Sequence, residues 1–179
     1  MRVLVTREAI EKRIAEIAAQ IDRDYAESGQ LLCIGVLKGS VFFMVDLLKQ
    51  LTVPVSIDFF QTSSYGSSTT PGEVRIRKDV DIPVRGKDVL LIEDIVDTGH
   101  TLNTILGLLR FRGARSVKLC ALLDKTEARE VDIPIDYCGF PIENLFVVGY
   151  GLDFDERYRN LPYVAVLEEH EASAVPSPS

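Results

Sequence analysis

Val89-Leu90-Leu91-Ile92-Glu93-Asp94-Ile95-Val96-Asp97-Thr98-Gly99-His100-Thr101-Leu102 is the stretch on which the reading of this chain turns. Val89 to Ile92 have the length and branching of a buried strand. The run stops at two acids, Glu93 and Asp94, and a third, Asp97, follows. Both acids of the pair could face one site only if the backbone turned there, because consecutive strand residues point opposite ways. Thr98, Gly99 and Thr101 then lead into residues at helical spacing. A strand, an acid pair, a loop of hydroxyls and glycine and a helix N-terminus, in that order, suit a sugar that carries a phosphate. The N–H groups of such a loop, aided by the helix dipole, bind a phosphate monoester. The nearby acids can hold ribose hydroxyls and Mg²⁺.

The same grammar recurs on either side. Thr6 can cap a helix in which Ile10, Ile14, Ile17, Ala18, Ile21 and Tyr25 recur at helical spacing, and Gly29 fits just past its end. Leu31 to Val36 reads as a buried strand, broken by Lys38-Gly39-Ser40 before a helix from about Val41 to Leu51. Val53 to Phe60 is a further strand. Residues 61–72 form the most loop-like segment, and Glu73 to Lys78 alternates like one arm of a hairpin. Leu102, Ile105, Leu108 and Leu109 place a helix over Thr101 to Arg112, stopped by Gly113. Strand-like segments follow at 116–123, 135–138, 145–149 and 163–167. The polar, Pro- and Ser-rich residues from Glu168 to Ser179 read as a disordered tail.

Strands alternating with helices predict the α/β class, with a mainly parallel central sheet flanked by helices. In such sheets ligands sit beyond the carboxyl ends of the strands. Lys38-Gly39, the loop from Glu93 to Thr101, and Lys125 all fall there.

Composition narrows the function. A chain of 179 residues suits one domain with a full core. A net charge of −7 opposes a nucleic-acid partner. The apolar runs are strand-sized, too short for a bilayer, and Met1-Arg2-Val3-Leu4 leads into a polar helix rather than a signal peptide's apolar region. The expectation is a cytoplasmic protein without membrane partners. Cys33, Cys120 and Cys138 lack C-x-x-C spacing and read as small buried hydrophobes. Two histidines, His100 and His170, are too few and too separate for a His-based metal site.

The segment Val89 to Leu102 resembles the diphosphoribosyl-binding motif of the type I phosphoribosyltransferases. Leu37-Lys38-Gly39-Ser40, Ser64-Tyr65-Gly66, Leu123-Asp124-Lys125, Phe146 to Asp153 and Glu156 to Tyr163 resemble the bacterial hypoxanthine phosphoribosyltransferases, in order, over roughly residues 5–167. The resemblance implies a small hood, built from the N-terminal segment and about 132–167, over the sheet. It implies a purine-salvage enzyme that moves 5-phosphoribosyl from 5-phospho-α-D-ribose 1-diphosphate to hypoxanthine or guanine and uses Mg²⁺. It also implies a homodimer or homotetramer.

Carried over residue by residue, the resemblance assigns Lys38 and Gly39 to a diphosphate loop with a strained, often cis, non-proline peptide. Arg159 also approaches diphosphate, as a guanidinium fork suits. Glu93 and Asp94 contact the ribose diol and share Mg²⁺ with the diphosphate, and Asp153 helps hold a second Mg²⁺. Asp97 acts as general base or acid at purine N7; a helix N-cap is its ordinary alternative. Ile95, Val96, Thr98, Gly99, His100 and Thr101 complete the nucleotide-binding stretch, with the loop from Thr98 wrapping the 5′-phosphate. His100 departs from relatives with lysine or a small residue, and reads as a backbone donor with an exposed ring.

Lys125 suits the purine 6-oxygen and would reject adenine's amino group. Without the resemblance it would read as a solvated lysine. Phe146 can stack on the base and Val147 can offer main-chain groups to its edge. Residues 61–72, with Ser64 and Tyr65, can close as a lid that keeps water from the sugar. Three other functions compete. One is a regulatory nucleotide sensor on the same fold, and another is a xanthine-preferring enzyme. An aspartic protease half-site at Asp97-Thr98-Gly99 would need a second copy to complete its carboxylate pair.

Overall fold

The computed structural model describes residues 1–64 and 74–168. Its elements in chain order are β1 (Arg2–Val5), α1 (Arg7–Asp24), β2 (Leu31–Val36), α2 (Val41–Leu48), β3 (Val55–Ser64), β4 (Val74–Lys78), β5 (Asp88–Val96), α3 (His100–Phe111), β6 (Ser116–Asp124), β7 (Tyr137–Pro141), β8 (Val147–Val148) and β9 (Val164–Val166). Six strands form one sheet in the order β4-β3-β2-β5-β6-β7. Within it β2 pairs in parallel with β3 and β5, β5 with β6, and β6 with β7, while β4 runs antiparallel to β3.

Both faces of this sheet are covered, and residue alternation decides which face each side chain joins. Cys33, Leu90, Ile92, Cys120 and Leu122 pack with α1 and α2 through Ile14, Ile17, Phe43 and Leu47. Leu32, Ile34, Leu91, Leu119 and Ala121 pack with α3 through Leu102, Ile105 and Leu109. This is why the strands read as unbroken apolar runs in the sequence. Cys33 and Cys120 belong to this packing, and burial pushes the Cys33 thiol up to about 12; Cys138 is partly buried.

The chain leaves β2 on one side to make β3 and returns on the other to make β5. The carboxyl ends of β2 and β5 therefore flank a point where the winding reverses, the usual ligand crevice of an open α/β sheet. β2 and β5 pair only as far as Gly35 and Ile92. β5 itself runs on, which differs from the expected stop at Ile92. Glu93 lies opposite Ala121 and Val96 opposite Asp124, so pairing with β6 carries the strand through both acids. From Glu93 onward one edge of β5 is released by β2.

Thr6 caps α1 as expected, its Oγ1 accepting the Ala9 N–H at 3.2 Å. The helix ends at Asp24, and Gly29 lies farther on, in the turn to β2. A second, small antiparallel sheet has the order β1-β9-β8, and its Val5, Val147, Val164 and Val166 pack in the same cluster as α1 and α2. β7 belongs to the large sheet, so the segment 137–141 extends the platform. β1 was not expected as a strand, because four residues of mixed exposure carry too little periodicity. Among the described residues no helix is long and apolar enough to cross a membrane. The tail 169–179 and the loop 65–73, including most of the expected lid, lie outside the described residues.

Asp88 opens β5 and ties it to the start of β6, accepting from Arg115 Nε at 3.0 Å and Ser116 Oγ at 2.7 Å. The Arg115 guanidinium holds its carboxyl well below the usual carboxylate range. A lowered folded-state pKa means the unfolded chain takes the proton first. The stabilisation is therefore complete above about pH 4 and fades as the pH falls. Asp88→Asn should lower the unfolding free energy at pH 7 by roughly 1–2 kcal/mol, a modest figure because Arg115 is half exposed. In urea titrations the gap to the parent protein should narrow steadily from about pH 5 to about pH 2.

Candidate active site

The released edge of β5 borders a cavity of about 240 Å³ lined by Thr62, Glu93, Asp94, Asp97, Thr98 and Thr101. The two neighbouring acids both reach it. Glu93 Oε1 accepts the Asp94 N–H at 3.0 Å, and Asp94 Oδ1 accepts the Ile95 N–H at 2.9 Å. Each side chain folds back on its own strand, so no sharp backbone turn is needed. Burial, then the adjacent Asp94 carboxylate, push the Glu93 carboxyl well above the usual range. A larger cavity of about 460 Å³ lies elsewhere, between Arg7, Phe42, Asp46, Tyr150 and Leu161, and contains none of the expected site residues.

The loop after β2 closes one side of the crevice. The Leu37–Lys38 peptide is cis, matching the resemblance. Gly39 packs directly on Asp94, and a Cβ at residue 39 would collide with that carboxylate. Only glycine lets the loop approach this closely.

The loop after β5 forms the floor. Asp97 is not the helix N-cap; Gly99 takes that position at φ +91°, a left-handed conformation natural to glycine. The first helical bond of α3 runs from the Asn103 N–H to the Gly99 carbonyl at 2.9 Å. The amides of His100, Thr101 and Leu102 precede it and form the usual donor cluster of a helix N-terminus. The Asp97 side chain is exposed and points across the crevice to Lys125, Nζ to Oδ2 3.6 Å. Lys125 is buried, not a solvated strand-end lysine, and its N–H donates to the Val96 carbonyl at 2.9 Å.

Arg129 was not singled out from the sequence, yet it braces this floor. Its Nε donates to the Asp97 carbonyl at 3.1 Å, its Nη2 pairs with the Asp124 carboxylate, and its Nη1 reaches the Ile133 carbonyl at 3.5 Å. The Thr98 carbonyl accepts the Glu130 and Val131 N–H groups at 3.0 and 3.1 Å. The His100 ring, half exposed, meets Glu130 at 2.6 Å, so it has a partner beyond its backbone role. A lone arginine in a segment of mixed charge gives no periodic or motif signal that would have found it.

Of the remaining expected residues, Phe146 and Val147 lie at β8, and Asp153 and Arg159 lie between β8 and β9. Phe146 is 52% exposed and stands edge-on to Phe154, ring centroids 5.7 Å apart. Val147 is buried in β8, an edge strand, so its side chain serves the core while one side of its backbone stays open. Arg159 Nη1 donates to the Gly151 carbonyl at 2.7 Å, and its Nη2 pairs with Asp153 at 2.8 Å. Its Nε is buried and has no acceptor among the described residues. Glu156, also missed in the sequence, pairs with Lys38 at 2.9 Å, and that ammonium lowers its carboxyl pKa. Ser64 ends β3, and Tyr65 lies outside the described residues.

The expected acids do not form one metal cluster. Asp153 is engaged with Arg159, and among the described residues no three His, Cys, Asp or Glu side chains converge on a metal position. The Glu93–Asp94 pair still fits Mg²⁺. Two buried carboxylates in contact favour a neighbouring cation, and this ion takes one or two carboxylates while keeping water or phosphate oxygens.

A family model described as the phosphoribosyl transferase domain matches residues 4–155. The chain belongs to the phosphoribosyltransferase family. Within it the chain falls among the hypoxanthine and hypoxanthine-guanine enzymes, glycosyltransferases of purine salvage. It is 48% identical over 168 residues to a hypoxanthine-guanine phosphoribosyltransferase of Bacillus subtilis (strain 168), covering 93% of each chain. A Streptococcus agalactiae serotype V relative with the same description is 51% identical over 169 residues, covering 94% of this chain and 93% of its own. Among solved structures, a Trypanosoma cruzi hypoxanthine phosphoribosyltransferase variant in a ternary substrates complex superposes with a TM-score of 0.91 at 41% identity, over 95% of this chain and 96% of its own. A Staphylococcus aureus hypoxanthine phosphoribosyltransferase gives 0.90 at 46% identity, over 94% and 92%.

The buried acid pair carries a thermodynamic signature. A raised folded-state pKa at Glu93 means its favourable contribution is complete below about pH 4 and is lost as the pH rises through the folded value. Glu93→Gln, unfolded in urea with a metal chelator present, should match the parent near pH 4 and exceed it at pH 8 by on the order of 1–3 kcal/mol. Superimposable stability curves at pH 8 would contradict a desolvated Glu93.

Proposed function

We propose that this enzyme transfers 5-phosphoribosyl from 5-phospho-α-D-ribose 1-diphosphate to N9 of hypoxanthine and guanine, giving IMP or GMP and diphosphate. The observation that carries the reading is the buried Lys125 ammonium 3.6 Å from the Asp97 carboxylate. A 6-oxopurine presents O6 and N7 side by side on one edge. Lys125 donates to O6 while Asp97 faces N7, so one base edge meets both members of the pair. Adenine would set an amino donor against the ammonium donor, so the Lys125 contact to the base would be lost.

Bond changes then follow from position. N9 attacks C1′ as the C1′–oxygen bond to diphosphate breaks, and the bonding electrons leave with the diphosphate. The N7 proton passes to the Asp97 carboxylate, so the base gains nucleophilicity as it bonds. The Arg129 contact to the Asp97 carbonyl keeps that carboxylate in place. Negative charge on the leaving group is received by the amides of the Lys38-Gly39 loop and by Arg159, whose unpaired Nε is a donor in waiting. The amides from Thr98 to Thr101 and their hydroxyls hold the 5′-phosphate. Glu93 and Asp94, with Ile95 and Val96 fixing their strand, hold the ribose diol. Phe146 stacks on the base, and the open backbone of Val147 reads its remaining edge.

Mg²⁺, when bound, would neutralise diphosphate charge, held through Glu93 and Asp94 with Asp153 serving a second ion. The segment 61–72, with Ser64 and Tyr65, is the lid of this reading. Assembly as a dimer or tetramer belongs to the same reading; Phe42 and Val45 on α2 and Ile57 on β3 are among the large apolar side chains exposed on the described residues.

Steady-state assay of four bases with the sugar donor tests specificity. Hypoxanthine and guanine should be used well, xanthine less well and adenine barely, whereas preference for adenine would remove Lys125 from base recognition. Asp97→Asn should lower kcat about 10²- to 10⁴-fold with little change in KM for the sugar donor. Full turnover in that variant would leave Asp97 a role only in shaping the loop.

A further inference from the structure

Two cations border the proposed diphosphate site, Lys38 on the loop whose amides are assigned to diphosphate and Arg159, and both already have a carboxylate partner. Lys38 Nζ lies 2.9 Å from Glu156 Oε2, and Arg159 Nη2 lies 3.4 Å from Glu156 Oε1. A single carboxylate thus bridges the loop after β2 and the segment leading to β9, contacts made across 118 residues of sequence in the case of Lys38. The backbone holds it there. Glu156 has φ +59°, between Asp155 at +51° and Tyr158 at +76°, and its N–H donates to Asp153 Oδ2 at 2.9 Å. Left-handed conformations at non-glycine residues persist only where the surroundings enforce them. Here they aim one acid at an ammonium and a guanidinium, which is also how a phosphate group would use its oxygens.

We propose that Glu156 is an internal competitor for diphosphate. This tethered carboxylate neutralises Lys38 and Arg159 while the sugar donor is absent, yields them when the diphosphate arrives, and reclaims them as the product diphosphate leaves. The inference rests on the proposed assignment of the Lys38-Gly39 loop and Arg159 to diphosphate, and adds the Lys38 ammonium to that set. It makes Glu156 a determinant of affinity at one end of the donor, with no part in holding the 5′-phosphate or the base. The contact is built to break: the Lys38 and Glu156 side chains are 55% and 66% exposed, and an exposed pair of this kind is easily exchanged for another anion. Asp153, by contrast, is mostly buried against Arg159 and keeps that guanidinium oriented.

Calorimetry with inorganic diphosphate, and separately with IMP, each with Mg²⁺ present, tests this on the full-length protein and on Glu156→Gln. The variant should bind diphosphate about two- to fivefold more tightly. Its KM for the sugar donor should fall by a similar factor, and its affinity for IMP should not change. In a Lys38→Gln background most of the gain should vanish, because the competitor's first partner is gone. Unchanged or weaker diphosphate binding in Glu156→Gln overturns the inference, as does weakening of diphosphate and IMP together in both backgrounds, the pattern of a purely structural residue. If Arg159→Gln binds diphosphate as the parent does, the underlying assignment fails instead, which is distinguishable from failure at Glu156 alone; if Lys38→Gln does so, the Lys38 ammonium is no partner of diphosphate and the inference is overturned.

Discussion

The β2–β5 ladder ends at Gly35 and Ile92, and the site depends on that ending. While two parallel strands are paired on both sides, their backbone groups and both faces are consumed by the sheet and its helices. Once β2 turns away at Leu37, β5 continues with β6 alone, and the space between them becomes the crevice. Glu93 and Asp94 stand at the first positions where such space exists. Their burial is costly by itself, and the Gly39 backbone pressed against Asp94 leaves them little room to relax. The fold bears that cost because the large apolar clusters on both faces of the sheet stabilise β5 independently of its last residues.

A second regularity is that the charged groups of the crevice meet opposite charges within the protein. Lys125 faces Asp97, Lys38 faces Glu156, Arg159 faces Asp153, and Arg129 faces Asp124. These pairs differ in purpose. The Arg129 pair is shielded and also holds main-chain carbonyls, so it acts as scaffold. The Lys38 pair is open to solvent, and in the proposed reading it is exchanged for substrate oxygens. Glu93 and Asp94 are the exception, two like charges side by side, and that imbalance is what makes their neighbourhood a place for a cation. A net negative protein thus gathers cations at one edge of the sheet, Lys38 exposed and Lys125, Arg129 and Arg159 largely shielded beside their partners.

Much of this was legible residue by residue. Unbroken apolar runs announced buried parallel strands, the Thr6 cap and the isoleucine spacing announced α1, and Asp97-Thr98-Gly99 after a strand announced an anion loop. Three things were not. β1 is too short to show a period, and only its partner β9, at the far end of the described chain, makes it a strand. Arg129 and Glu156 sit in segments of mixed charge where any arginine or glutamate would read as solvated. Gly99 took the cap expected as an option for Asp97, because the loop must turn left-handed under Val131 and only then can the aspartate side chain swing toward Lys125.

The amino-acid order alone determined the α/β class and the place of the Asp97-Thr98-Gly99 loop between a buried strand and a helix, since periodicity and turn chemistry are local and survive in one dimension. Tertiary structure decided which charges are partners, which acids are desolvated and which lysine is buried. Those properties depend on distances between segments remote in sequence and on exclusion of water, and neither exists until the sheet has closed its two faces.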